Sequence, residues 1–238
     1  MFTLEVPSLK ELCIGLMHLL YPNLCVGCQA DLPAESDCFC LGCRRQLQVT
    51  NMHTEIENAF TERFWGQIPL ARGAAMYAFQ RRSPIQRALH QLKYKNQPDV
   101  GVRIGRRFGY MLARAGTFQS VQAIIPVPLH PEKERQRGYN QSAMFAQGLA
   151  EVLALPVLVN CLVRRHLASS QTRKKRMERF DNVREGFTLQ GPERIQGKHL
   201  LLVDDVLTTG ATLEACGRVL LEAPGVRLSM ATIAIATH

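Results

Sequence analysis

The segment HLLLVDDVLTTGAT, residues 199–212, restricts the fold of this chain more than any other. Four consecutive apolar residues, Leu200 to Val203, lack the alternation of a strand with one wet face. They suit a central strand covered on both sides, as in a parallel sheet. The run ends in two adjacent carboxylates, Asp204 and Asp205, followed by threonines and a glycine. Paired like charges at a strand end need a cation, hydrogen-bond donors or open water. The next residues, ATLEACGRVLLEA, have a helical pattern, so the pair stands at a strand–loop–helix junction. Ligands of open parallel sheets bind at the carboxyl ends of the strands, and the leading N–H groups of a helix attract anions. Val206, Leu207, Thr208, Thr209, Gly210, Ala211 and Thr212 are therefore the phosphate-binding candidates. Gly210 allows close backbone approach, and the threonines add hydroxyl donors. The aspartates are acceptors suited to a diol, so the segment reads as a site for a ribose 5-phosphate.

The body of the chain repeats the strand–helix alternation. Strands are expected at 73–80, 121–128 and 155–164, then at 199–205 and 226–237. Ser83-Pro84 starts a helix with Ile85, Ala88, Leu89 and Leu92 on one face. A second helix is expected from Asp99 to Ala115, with Ile104, Phe108, Met111 and Leu112 inward and Arg103, Arg106 and Arg107 outward. Asn140 is available to cap a third over 140–154. The expectation is an α/β fold, a mainly parallel sheet with helices on both faces.

Five of the eight cysteines fall in CVGCQADLPAESDCFCLGC. Cys25/Cys28 and Cys40/Cys43 form two C-x2-C knuckles, the pattern of a structural four-thiolate Zn²⁺ site. Cys38 with Cys43 is an alternative second pair, although the symmetric spacing favours Cys40. Cys13, Cys161 and Cys216 lie at apolar positions and suit core thiols. So small a module builds little core alone, so metal binding would supply its folding energy. The resulting division is an N-terminal helix and zinc ribbon over 1–50, a linker over 51–72, and the α/β domain over 73–238.

A formal charge of +9 raises the weight of anionic partners. No segment offers the roughly 20 apolar residues of a membrane span. The apolar run Ile14–Leu20 follows Glu5 and Glu11 where a signal peptide would carry positive charge, so an amphipathic helix and a cytoplasmic location are expected.

LLLVDDVLTTGAT resembles the phosphoribosyl-pyrophosphate (PRPP) motif of type I phosphoribosyltransferases. The resemblance implies that the loop holds the 5-phosphate, while the acids contact the ribose 2′ and 3′ hydroxyls. IIPVPLHPEKERQRGYNQSAMFA resembles the pyrophosphate-loop region of the ComF branch, with Lys133, Arg135, Arg137 and Gly138 suited to a polyanion. RRHLASSQTRKKRMERFDNVREGF resembles the arginine-rich stretch of that branch. Gln171, Glu178, Arg179, Asn182 and Phe187 match it, while His166, Ala168 and Lys174 depart from it. LKYK (92–95) resembles a lysine–tyrosine pair near the domain's start, and with the cysteine module the likeness covers nearly the whole chain.

The ComF resemblance implies competence or the use of external DNA, PRPP with Mg²⁺, and a basic loop over the site. That loop carries Arg164, Arg173, Lys174, Lys175, Arg176 and Arg179. The same cations suit single-stranded DNA. Partners in such a pathway would be a DNA-uptake helicase or a recombination protein. The alternative is an active phosphoribosyltransferase that transfers ribose 5-phosphate to a nucleobase.

Overall fold

The structure, a computed structural model, describes residues 22–33, 38–164 and 186–236. The expected helix at Ile14–Leu20 and the positions Gln171, Arg173, Lys174, Lys175, Arg176, Arg179 and Asn182 lie outside the described residues.

After the cysteine-bearing helix α1 (Leu41–Gln46) come β1 (Arg72–Phe79), α2 (Pro84–Tyr94) and α3 (Asp99–Ala115). β2 (Ala123–Pro126), α4 (Pro131–Arg137) and α5 (Gln141–Leu153) follow. The chain continues through β3 (Leu162–Arg164), β4 (Phe187–Leu189), β5 (His199–Leu207), α6 (Ala211–Leu221) and β6 (Arg227–Ala236). Strands β1, β6, β5 and β2 form a four-stranded sheet in that order, parallel throughout. The acid-bearing strand β5 is central, as its unbroken apolar run requires.

Alternation along β5 feeds two cores. Leu201 and Val203 pack with Leu92, Ile104, Phe108 and Phe145 of α2, α3 and α5. Leu200 and Leu202 face Cys216 and Leu220 of α6, together with Phe60 and Phe64. Each such side chain, once fully buried, stabilises the fold by roughly 1.5–3 kcal/mol. The stretch 51–72 contributes to this second core through two short 3-10 turns, Met52–Thr54 and Thr61–Phe64.

Close approach of α3 and α5 depends on glycine. A Cβ at Gly105 would lie 2.4 Å from the Phe145 carbonyl oxygen, and one at Gly148 2.0 Å from that of Val102. This contact fixes α5, whose N-terminus reaches the acid pair. The Ser83 hydroxyl caps α2 by accepting from the Gln86 N–H, and Asn140 caps α5 by accepting from that of Ser142.

Three local expectations are corrected. The segment 155–164 is not one strand: Val157 makes a single parallel bridge to Ile124, and only Leu162–Arg164 is extended, antiparallel to β4. Pro156 has no N–H to donate and its carbonyl alone joins the ladder, accepting from Ile124. The basic segment that begins at Lys133 is helical to Arg137 and ends at Gly138 in the left-handed conformation. Arg103 does not point outward: it is half-buried, with its guanidinium donating to the Leu24 carbonyl. Burial holds Arg107 below the usual guanidinium range.

The cysteine module docks on α2 and α3. Arg87 donates to the Gly27 carbonyl at 2.5 Å, Gln91 to that of Val26 at 3.0 Å, and Gln29 to the Gln91 side chain at 2.8 Å. Phe39 meets Tyr77 edge-on with centroids 6.0 Å apart. Its core is thus continuous with that of the body.

Candidate functional site

Hydrogen-bonding register places two loops at one end of the sheet. Pro126 at the end of β2 aligns with Val203, and the Val127 N–H donates to the Val203 carbonyl at 2.9 Å. The basic segment after β2 therefore starts beside Asp204 and Asp205. Strand β5 continues through Val206 and Leu207, so the turn itself is only Thr208, Thr209 and Gly210. Val206 and Leu207 still line the small cleft formed with Asp204 and residues Thr208–Leu213.

Asp204 and Asp205 have different partners. Asp204 Oδ1 accepts from the Ser142 hydroxyl at 2.7 Å and from the Asp205 N–H at 2.8 Å. Burial, followed by the neighbouring Asp205 charge, pushes the Asp204 carboxyl up to about 7 despite those donors and Lys93. Asp205 is buried, and its Oδ2 lies 2.8 Å from Lys93 Nζ at the C-terminal end of α2. The question posed by adjacent acids is thus answered by a split: a neighbouring ammonium balances Asp205, and Asp204 holds its proton near neutrality.

Gly210 is the N-cap of α6 at φ +89°, a conformation that L side chains rarely adopt, and it offers no capping side chain. The opening N–H groups of α6 thus have no side-chain acceptor from their own cap. Thr208 and Thr209 are exposed, and the Thr209 hydroxyl makes one long contact of 3.5 Å to the Ala211 N–H. Arg63 clamps the turn from behind: its guanidinium donates to the Thr208 carbonyl and, at 2.6 Å, to that of Ala236 at the end of β6.

Beside the acid pair lies a cleft of about 630 Å³ lined by Lys93, Tyr94, Asn96 and residues Lys133 and Arg135–Gly138. Lys133 and Arg135 are exposed. Arg137 is half-buried, donating to the Gln141 side chain with its guanidinium 5.8 Å from the Tyr94 ring centre. Tyr139 secures the wall by donating to the Leu92 carbonyl at 2.5 Å. Arg164 lies apart from these groups on β3, its guanidinium over the Phe187 ring at 5.4 Å.

The four sulfurs of Cys25, Cys28, Cys40 and Cys43 lie within 4.8 Å of one another. Zn–S bonds of roughly 2.3 Å in a tetrahedron set sulfurs roughly 3.8 Å apart, and Cys28 and Cys40 are separated by 3.7 Å. The Cys40 and Gly27 N–H groups point at Cys25 Sγ from 3.2 and 3.4 Å. Burial opposes ionisation of Cys25, yet these donors and the Cys28 N–H bring its thiol down to about 7. The cluster fits a metal such as zinc, with no position left for substrate. Cys38 is outside the cluster and buried, which pushes its thiol up to about 12.

The acids and the threonine turn lie at one end of β5, where the basic segment also begins and where Lys93 of its cleft meets Asp205. The contacts of Ser142 with Asp204, of Arg63 with the threonine turn and of Lys93 with Asp205 are features of the candidate site that sequence reasoning missed. Lys93 lies within the quoted LKYK, but nothing in the spacing reveals its partner; Ser142 and Arg63 leave no sequence signal.

The chain is similar to several known proteins. Residues 140–238 match the family model described as "Phosphoribosyl transferase domain". The chain is 29% identical over 218 residues to Competence protein F of Haemophilus influenzae, covering 87% of this chain and 88% of that protein. It is 30% identical over 141 residues to DNA utilization protein YhgH of Salmonella typhimurium, covering 58% and 61% respectively. Competence protein ComFC of Bacillus subtilis is 25% identical over 213 residues, covering 87% and 82%. The parallel sheet and the matched domain define a protein with a type I phosphoribosyltransferase-like fold, preceded by a four-cysteine cluster consistent with a zinc ribbon. Within that class, the chain is similar to relatives named Competence protein F, Competence protein ComFC and DNA utilization protein YhgH.

Proposed function

We propose that the chain binds PRPP with Mg²⁺ and acts in competence or the use of external DNA, where it handles single-stranded DNA. The observation that carries the ligand is the convergence, at one end of β5, of three groups matched to three parts of PRPP. The turn Thr208–Gly210 and the opening residues Ala211 and Thr212 of α6 take the 5-phosphate. Asp204 and Asp205 take the ribose hydroxyls, and Lys133, Arg135, Arg137 and Gly138 take the pyrophosphate. Two carboxylates are hard oxygen donors that fit Mg²⁺. Asp204 and Asp205 would hold the metal, which would supply positive charge against the pyrophosphate. Gly210 lets the backbone close on the phosphate, and Arg63 holds the turn in shape. Zinc in the four-cysteine cluster is structural, and the chain divides near residues 50 and 72, with the stretch between them packed on the α/β core.

The pathway assignment is supported by relatives named Competence protein F, ComFC and DNA utilization protein YhgH. In that setting the chain is cytoplasmic and its protein partner is an uptake helicase or a recombination protein. Among the described residues no helix is long and apolar enough to cross a membrane. Arg164, Gln171, Arg173, Lys174, Lys175, Arg176, Arg179 and Asn182 belong to the basic segment that would meet the DNA backbone, with a salt-dependent affinity. The alternative, transfer of ribose 5-phosphate to a nucleobase, is favoured by the same cleft, because cations there would stabilise departing pyrophosphate.

Two assays on the zinc-loaded protein separate these readings: oligonucleotide binding across a salt series, and pyrophosphate release from Mg²⁺–PRPP with a panel of nucleobases. Salt-dependent binding without release supports the DNA role. Base-dependent release without DNA binding supports the transferase and overturns it.

A further inference from the structure

The Lys93 ammonium belongs to two places at once. Its Nζ is 2.8 Å from Oδ2 of the buried Asp205, and the same side chain lines the basic cleft with Lys133, Arg135 and Arg137. α2 holds it there: Leu92 is buried in the core, its carbonyl accepts from Tyr139, and Arg87 and Gln91 tie the helix to the cysteine module. A divalent cation and an ammonium compete for that carboxylate oxygen, since both need its lone pairs and like charges repel at contact distance. An anion in the cleft, by contrast, attracts the ammonium, and a lysine stem of four carbons lets the head group swing between neighbours.

We propose that Lys93 is a transferable cation that guards Asp205 against bare divalent metal and turns to the pyrophosphate group when a pyrophosphorylated ribose enters with its metal. This rests on the PRPP reading of the site and deepens it. Filling of the cleft and opening of Asp205 become one event, because the charge that leaves the acid is the charge the pyrophosphate takes up. Metal alone gains nothing by displacing Lys93, whereas metal with PRPP provides a new partner for the ammonium. The selected ligand is therefore one that carries both a diol and a pyrophosphate.

Lys93→Met removes the charge while keeping an unbranched stem of similar length, and Lys93→Arg keeps the charge. Mn²⁺ alone, followed by electron paramagnetic resonance, reads access to the acids. Mg²⁺–PRPP, followed by calorimetry, reads the complete site. For Lys93→Met the expected result is about ten- to a hundredfold weaker PRPP binding, the scale of a lost charged hydrogen bond, with tighter binding of Mn²⁺ alone. Lys93→Arg should recover much of the PRPP affinity. Opposite changes in the two affinities would not follow from a merely structural defect. Unchanged or weaker Mn²⁺ binding, or unchanged PRPP affinity, in Lys93→Met overturns the exchange. A wild-type protein that takes up no PRPP refutes the underlying site assignment instead, so the two failures are distinguishable.

Discussion

Replacing Asp204 with asparagine should make the protein more stable at alkaline pH while disabling the acid pair. The side-chain carbonyl of asparagine still accepts from Ser142 and from the Asp205 N–H, so the local hydrogen bonds survive. What disappears is a half-buried charge beside a buried one. The Asp204 carboxyl titrates at about 7 in the folded chain against an ordinary 3.8. Between those values the folded protein binds the proton more tightly than the unfolded one, so stability falls as pH rises from about 4 to about 7. From pH 5 to pH 8 the fall attributable to this group spans roughly two pH units, or about 3 kcal/mol at ~1.4 kcal/mol per unit. For a chain of this size that is about 6–12 °C in Tm. Thermal unfolding of zinc-loaded wild type and Asp204→Asn at both pH values reads the Asp204 charge together with its coupling to Asp205 and Lys93. The variant's advantage should grow by that amount between pH 5 and pH 8. An advantage independent of pH, or a variant less stable at pH 8, would refute a raised Asp204.

Arg63→Leu should weaken PRPP binding about tenfold by releasing the Thr208 carbonyl, measured by calorimetry; an unchanged affinity would leave Arg63 with only a role in folding. Gly210→Ala introduces a Cβ at φ +89° and 3.3 Å from the Phe64 ring. It should cost roughly 1–2 kcal/mol in stability and most of the phosphate affinity, read by denaturant unfolding and by PRPP titration. Cys28→Ser should lose bound zinc and lower Tm, whereas Cys38→Ser should keep one zinc per chain by elemental analysis; loss of zinc from the Cys38 variant would reassign the ligands. Neutralising Arg173, Lys174, Lys175 and Arg176 together should flatten the salt dependence of oligonucleotide binding, and an unaltered slope would move the DNA contact elsewhere.

The elements most legible in the sequence were those where one local rule sufficed. Apolar continuity over Leu200–Val203 identified a central strand, Ser83-Pro84 marked the start of α2, and the paired C-x2-C knuckles identified the cluster that the structure gathers. Failures arose where partners are distant in sequence. Residues 155–164 have strand propensity, but Pro156 withholds a donor and the neighbouring edge engages them at one bridge only. Arg103 reads as an outward helix residue until the cysteine module covers it. The Lys93–Asp205 ion pair spans two elements more than a hundred positions apart, and Ser142 reaches Asp204 only because glycines let α3 and α5 approach closely. Periodicity reports the face a residue occupies, not which distant group meets it there.

The most direct test of the central claim is calorimetric titration of Mg²⁺–PRPP into the zinc-loaded protein, beside the double variant Asp204→Asn, Asp205→Asn. The account requires saturable binding by wild type and its loss in the double variant, with zinc content and fold retained. Full-affinity binding by the double variant, or none by wild type, would contradict it.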